Sequence, residues 1–311
     1  MTSLLTRRTE LDDVDGRPVW SFVEGETLVR DHLAWTRLGI GTRCETWLAW
    51  SEPLWSPAIV KLTRPEQVTH PRGRAAVARE ADALGAVRHP GLPRLLYDGR
   101  AGQVPYLVAQ YVDGPDLDHV LEESGPLDEA EAVMLVAQVL SVVRSLHAAG
   151  FAHLDLKPEN LILQNGCAVL VDLGSSRRIG HRQPSGRPIG TTGYAAPDLE
   201  RGDDIAASMD VYGLGTVFAE ALTGRRLFDP HAPAADRPHP ELPGSVSPGV
   251  HRLLGDMLRA EPQDRPTIDE LLLALPALMG AQDSDELLWP SWASRALSAR
   301  PGPATASRAG Q

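Results

Sequence analysis

The 311-residue chain holds only two cysteines, Cys44 and Cys167. They are too few for a disulfide framework and are not spaced as a metal site, so a reducing, cytoplasmic setting is the expectation. Long apolar runs are also missing. Ala132 to Leu146 is interrupted by Gln138, Ser141 and Arg144, and LLLALPALM is cut by Pro276. Neither has the uninterrupted length of a bilayer span, and the opening MTSLLTRRTELDDVDG turns acidic before an apolar leader segment develops. Basic side chains are in the minority, 30 against 41 acidic, for a formal net charge of -11. This argues against nucleic acid as the main partner and mildly favours a basic peptide or protein.

Two further scarcities point inward. All but two of the 30 basic residues are arginine; the exceptions are Lys61 and Lys157. Asparagine also occurs only twice, as Asn160 and Asn165. Lysine differs from arginine in being a compact point charge on a slim stem, which suits a crowded site facing phosphate oxygens. Three of these four residues fall beside conspicuous neighbours: Lys157 and Asn160 lie in HLDLKPEN, two and five residues after Asp155, and Lys61 lies on a strand-like run after a glycine pair. Alone, HLDLKPEN is equally good turn chemistry, with Pro158 fixing its own φ and restricting Lys157.

With 42% hydrophobic and 23% charged residues, the chain has the composition of a folded protein and the length of one large domain or two lobes. Residues 1–33 are polar and read as an N-terminal extension. WTRLGIGTRCETWLAW and PAIVKLT alternate as strands do, Pro71 to Val87 has helical spacing, and GLPRLLYDG and VPYLVAQYV are again strand-like. After DGPD the pattern turns helical over Leu117 to Glu123 and Leu127 to Gly150. LIL, an Asn165-Gly166 turn and CAVLVDLG read as a hairpin. Residues 198–279 are mostly helical around a proline-rich loop at 230–248. The boundaries read as 34–279 for the folded domain, 34–112 and 113–279 for its lobes, and 280–311 for a mobile tail in which Trp289 and Trp292 have packing potential.

Two lobes meeting near residue 113 leave a cleft. Gly39 and Gly41 in RLGIGTRCET suit a backbone that approaches phosphate closely, or a plain hairpin turn. Asn160 and Asp172 offer the oxygen ligands that a hard cation such as magnesium accepts; each is equally a local cap or turn residue.

Together these residues resemble the eukaryotic-like protein kinases, most closely the bacterial serine/threonine kinases, over about residues 34 to 279. The resemblance implies an α+β, bilobal fold: a small antiparallel sheet with one main helix, then a mostly helical lobe. It implies ATP and Mg2+, with Mn2+ as a possible substitute, a protein substrate with a serine or threonine hydroxyl, and a soluble bacterial signalling enzyme. LGIGTRCET resembles the Gly-rich loop, with Leu38, Gly39, Gly41 and Thr46 over the nucleotide. AIVK resembles the strand carrying the nucleotide lysine, Lys61, and AREADAL offers Glu80 as its partner, with Glu66 and Asp82 as rivals. YLVAQYVDGPD resembles the hinge, with Ala109 as gatekeeper, Gln110 to Val112 facing adenine and Asp116 near the ribose; Ile162 would lie beneath the base.

HLDLKPEN then resembles the catalytic loop: Asp155 orients the acceptor hydroxyl and takes up its proton, Lys157 screens the phosphoryl group and Asn160 binds metal. Asp172 in DLG is the second metal ligand. GTTGYAAPD resembles the end of the activation segment, with Thr191 contacting Asp155 and Lys157, and Asp198 pairing with Arg265. Ser175, Ser176, Ser185, Thr191 and Thr192 are the modifiable hydroxyls there. The chain departs from the family at Cys44, Thr46, Ile59, Leu154, Leu173 and Asp198. Those departures keep a nucleotide-binding pseudokinase scaffold as the second reading; a small-molecule kinase of the same fold is the third. Leu154 stands where the family carries the arginine that receives an activation-segment phosphate, so activity is expected not to depend on that phosphate.

Overall fold

The structure, a computed structural model, describes residues 9–11, 16–183, 189–229 and 240–278. Ser185, most of the proline-rich loop and the tail with Trp289 and Trp292 lie outside the described residues. Strands β1 (Thr9–Leu11) and β2 (Pro18–Trp20) pair with each other. A six-stranded antiparallel sheet follows from β3 (Thr27–Val29), β4 (His32–Ile40), β5 (Cys44–Ser51), β6 (Ser56–Thr63), β7 (Leu95–Asp98) and β8 (Tyr106–Gln110), in the order β3-β4-β5-β6-β8-β7. Helix α1 (Pro71–Ala86) lies between β6 and β7; His70 caps it, with Nδ1 accepting the Arg72 amide, and Pro71 opens its first turn.

The two-residue period of β6 and β8 sorts their side chains between two cores. Ala58, Val60, Leu62, Tyr106 and Val108 face an outer cluster with Trp20, Leu28 and Trp47. Leu107 and Ala109 face the opposite side, toward α1 and the helical lobe. The same alternation that buries Val60 turns Lys61 toward the cleft, which is how a hydrophobic strand presents a cation.

The expected extension over residues 1–33 does not hold for residues 16–33, which belong to this first lobe. Trp20 is 2% exposed. Its amide donates to Glu45 Oε1 (2.8 Å) and its indole N–H to the Thr63 carbonyl (2.8 Å). The Arg64 guanidinium donates to the carbonyls of Arg17, Pro18 and Gly41, tying this N-terminal stretch to the glycine hairpin. One aromatic anchor in a polar stretch outweighs the low hydrophobic content around it, because a buried tryptophan removes a large apolar area from water.

The second lobe begins with α2 (Leu117–Ser124) and α3 (Glu129–Ala148). Asp128 and Glu131 form a reciprocal capping box at the start of α3. By length and composition α3 is the one described helix apolar enough to cross a bilayer, yet ten of its side chains are buried in this lobe, as in a core helix. Strands β9 (Phe151–Ala152) and β12 (Arg177–Arg178) pair, as do β10 (Leu161–Gln164) and β11 (Cys167–Leu170) through the expected Asn165-Gly166 turn. Helices α4 (Pro197–Arg201), α5 (Ser208–Thr223), α6 (Pro248–Met257) and α7 (Ile268–Leu278) complete it. Thus the α+β, bilobal expectation holds.

Candidate active site

Between the sheet and the helical lobe lies a cleft of about 460 Å³. One end is apolar, lined by Leu38, Ile59, Ala109, Val112 and Ile162; the other gathers Lys61, Glu80, Asn160 and Asp172. Gly39, Thr46, Gln110 and Asp116 also line it. An apolar slot leading to a charged end suits a flat base joined to a polyanion.

At the charged end, Lys61 Nζ lies 2.7 Å from Glu80 Oε2 and 2.6 Å from Asp172 Oδ1. The rival carboxylates are engaged elsewhere: Glu66 is 4.0 Å from Arg17, and Asp82 is 2.6 Å from Arg100. Burial acts to lower the lysine pKa, but the charges of Asp172 and Glu80 outweigh it and raise it well above its ordinary value. For Asp172, burial acts upward, and the Lys61 charge and hydrogen bond outweigh it, leaving the carboxyl at about 2. Both groups are therefore charged at neutral pH. Asp172 holds a left-handed backbone, φ 59°, with Oδ1 also accepting the Gly174 amide at 3.0 Å.

The loop HLDLKPEN is held from below by Asp210 on α5. Its carboxylate accepts the amides of His153 (2.8 Å) and Leu154 (2.7 Å) and is hydrogen-bonded to His147 Nε2 (2.7 Å). Burial acts to raise the Asp210 pKa, and the histidine hydrogen bond and charge, with the loop amides, outweigh it and lower it. Leu154 sits at φ 67°, a conformation costly for a residue with a Cβ. The side chain is 4% exposed and packs into the main core, so burial and two hydrogen-bonded amides hold the turn. Asp155 follows immediately and is thereby aimed. Its Oδ1 accepts the Thr191 hydroxyl at 2.7 Å, and its carbonyl accepts Asn160 Nδ2 at 2.8 Å.

That last bond fixes the amide orientation of Asn160, leaving its side-chain oxygen for another partner. Asn160 and Asp172 thus present hard oxygen donors at the same end of the cleft. Among the described residues no cluster of three or more His, Cys, Asp or Glu side chains could hold a metal alone. Two protein oxygens fit a magnesium-like ion that keeps waters and takes phosphate oxygens as its remaining ligands.

Some of the remaining expected residues fall where expected and others do not. Gly41 does not line the cleft; its amide closes the hairpin on the Cys44 carbonyl at 2.8 Å. Lys157 lies 4.0 Å from Glu159, and Thr191 reaches Asp155. Gln110 donates its amide to the Arg94 carbonyl at 2.9 Å, whereas the Val112 amide has no partner among the described residues. The Asp116 Oδ1 atom caps α2, accepting the His119 amide at 2.8 Å. Asp198 does pair with Arg265, at 2.7 Å with both side chains buried, but through one oxygen; Oδ2 has no partner among the described residues. The role of Asp210 escaped the sequence reading. The signal was present: a carboxylate in the first turn of an otherwise apolar helix, MDVYGLGTVF.

A lysine held by a helix carboxylate over a two-lobed cleft, facing an aspartate loop, defines a class. A family model described as protein kinase domain matches residues 35–274, and the chain belongs to that family. It is 33% identical over 206 residues to serine/threonine-protein kinase PknB of Mycobacterium leprae, covering 64% of this chain and 33% of that protein. Over 247 residues it is 32% identical to the probable serine/threonine-protein kinase PkwA of Thermomonospora curvata, covering 77% and 33%. Serine/threonine-protein kinase PknD of Mycobacterium tuberculosis is 31% identical over 219 residues, covering 66% and 33%. The chain therefore spans about a third of the length of these relatives.

Proposed function

We propose that the chain is a serine/threonine protein kinase transferring the γ-phosphoryl group of ATP to protein hydroxyls. The observation that carries this reading is the pair of contacts at Lys61, 2.7 Å to Glu80 and 2.6 Å to Asp172, in a cleft that also contains Asn160. The relatives' names agree with it. Adenine fits the slot between Ile59 and Ile162, with the Val112 amide as donor. Lys61 binds phosphate oxygens. Asn160 and Asp172 would hold Mg2+, which when bound neutralises phosphate charge. Asp155 accepts a hydrogen bond from the acceptor hydroxyl and receives its proton as attack proceeds. Thr191, which occupies that carboxylate at 2.7 Å, leaves the second oxygen for the substrate. Lys157 screens the equatorial oxygens, so positioning and electrostatics supply most of the acceleration.

Labelled ATP with magnesium and a mixed serine/threonine peptide pool tests the reading, with the Lys61→Ala protein as control. Transfer that Lys61→Ala abolishes is expected. Nucleotide binding without transfer to itself or to any peptide would replace this reading with a nucleotide-binding scaffold.

A further inference from the structure

The segment that follows Asp172 is fastened at two limbs by the chain's own backbone and side chains. In the first limb β12 pairs with β9, the Gly180 amide donates to the Ile205 carbonyl at 2.8 Å, and the Ile205 amide donates to the His181 carbonyl at 2.9 Å. Gln183 closes this limb. Its Nε2 donates to two carbonyls at once, Leu199 at 3.0 Å and Asp203 at 2.9 Å. Leu199 lies on α4 and Asp203 just beyond its closing Gly202. Helix ends leave carbonyls in need of donors, and a side-chain amide with two N–H groups meets two of them.

The second limb reaches the proposed base. Ile189 is buried in the main core, and Gly190, at φ 81°, lies so close to Leu154 that an added Cβ would collide with the Leu154 carbonyl oxygen. The same Cβ would meet Leu199 Cδ2 at 3.8 Å. Thr191 comes next and donates to Asp155. Leu199 is therefore common to both limbs: its carbonyl receives Gln183, and its side chain, 2% exposed, backs Gly190. Helix α4 is itself fixed, because Asp198 is paired with Arg265 at 2.7 Å in a buried position. The bond from Gln183 to α4 thus ties the first limb to the piece of chain on which Thr191 rests.

We propose that Gln183 is a positioning residue for phosphoryl transfer: its side-chain amide clamps the segment to α4 and so holds Gly190, Thr191 and Thr192 in place beside Asp155. The clamp performs the task that an arginine at position 154, bound to a phosphate, would otherwise perform. This rests on the kinase reading above and deepens it, by naming the contact that makes the segment's arrangement independent of modification. Gln183 is not among the residues lining the nucleotide cleft, so the two substrates of the reaction respond to it differently. Because two acceptors converge on one amide, the side chain at 183 has to donate. Glutamate would set a carboxylate against two carbonyl oxygens, whereas lysine keeps its donors.

The test uses the full chain, phosphatase-treated, with labelled ATP and one serine peptide that the parent phosphorylates. Gln183→Glu is expected to lower kcat/KM for the peptide by roughly ten- to a hundredfold, the scale of two lost hydrogen bonds, while the KM for ATP stays parental. Gln183→Lys is expected to restore the peptide value, which a role in packing alone would not do. Gln183→Ala removes the donor without adding charge and is expected to fall between the two; should Gln183→Glu not fold in urea titrations, Gln183→Ala against Gln183→Lys decides in the same way. Parental peptide kinetics in Gln183→Glu and Gln183→Ala overturn the proposal. So does an equal loss in Gln183→Glu and Gln183→Lys, or a KM for ATP that rises in step with that for peptide. A parent that transfers only after self-phosphorylation also overturns it, since phosphate would then set the segment. Absence of transfer by the parent to any peptide, before or after incubation with ATP, removes the kinase reading itself and this proposal with it.

Discussion

Asp210 accepts the amide of Leu154 at 2.7 Å while Leu154 holds φ at 67°. A buried carboxylate on one helix therefore sets the backbone of the residue before the proposed base, and its other oxygen serves His153 and His147. Asp210→Ala leaves two buried amides unpaired and the strained turn unsupported. It is expected to cost about 3–5 kcal/mol in urea denaturation and to lower kcat more than the KM for ATP. Asp210→Asn, which keeps one acceptor oxygen, is expected to fall between.

Asp155→Asn preserves shape and removes the proton acceptor. Turnover is expected to fall roughly 10²- to 10⁴-fold, with nucleotide affinity by calorimetry unchanged. A parental turnover rate in this variant would falsify the assigned role.

The Lys61–Asp172 pair carries a pH signature. The Asp172 pKa falls from 3.8 to about 2 on folding, so its stabilisation is fully present above the ordinary value and is lost as pH falls through the folded one. The stability difference between the parent and Asp172→Asn is expected to be flat from about pH 5 upward and to shrink below about pH 4. Urea titrations at stepped pH measure it, and a difference that changes between pH 6 and pH 8 (roughly the histidine range) would point to another group.

The two thiols differ in reach. Burial pushes the Cys44 thiol up to about 12, whereas Cys167 is exposed. A chromogenic disulfide reagent at about pH 8 is expected to titrate one thiol in the folded protein and two after unfolding. Two fast-reacting thiols in the native state would contradict the buried hairpin position.

Leu154 is 4% exposed and packed in the main core, and its apolar side chain offers no donor to a phosphate. Phosphatase-treated protein is expected to phosphorylate peptide at full rate from the first time point. A lag that disappears after self-phosphorylation would show that another group senses the phosphate.

Much of the site was legible because its chemistry lies in rare residues close together in sequence. Lys157, Asn160 and Asp155 share one loop, and Lys61 stands out in a chain that otherwise uses arginine. Glu80 was legible from helical spacing, and the structure chose it over Glu66 and Asp82 by geometry that no spacing encodes. Asp210 acts on a loop more than fifty positions away, a relation that only folding creates. Gly41 closes a hairpin, and a glycine that admits phosphate and one that closes a hairpin look alike in sequence, so both readings were open there. The N-terminal stretch was misjudged for a similar reason: average polarity hid one tryptophan whose partners, Glu45 and Thr63, lie far along the chain.

That tryptophan bears on where the domain can be cut. The family match begins at residue 35, and a fragment trimmed to that start would strip Trp20, Leu28 and Val29 from the outer face of the sheet. Glu45 would lose its amide donor and Arg64 its Arg17 and Pro18 acceptors. The fragment would retain every residue of the proposed chemistry and still expose an apolar patch prone to self-association. A fragment that keeps these contacts has to include Arg17, a point that similarity alone does not mark.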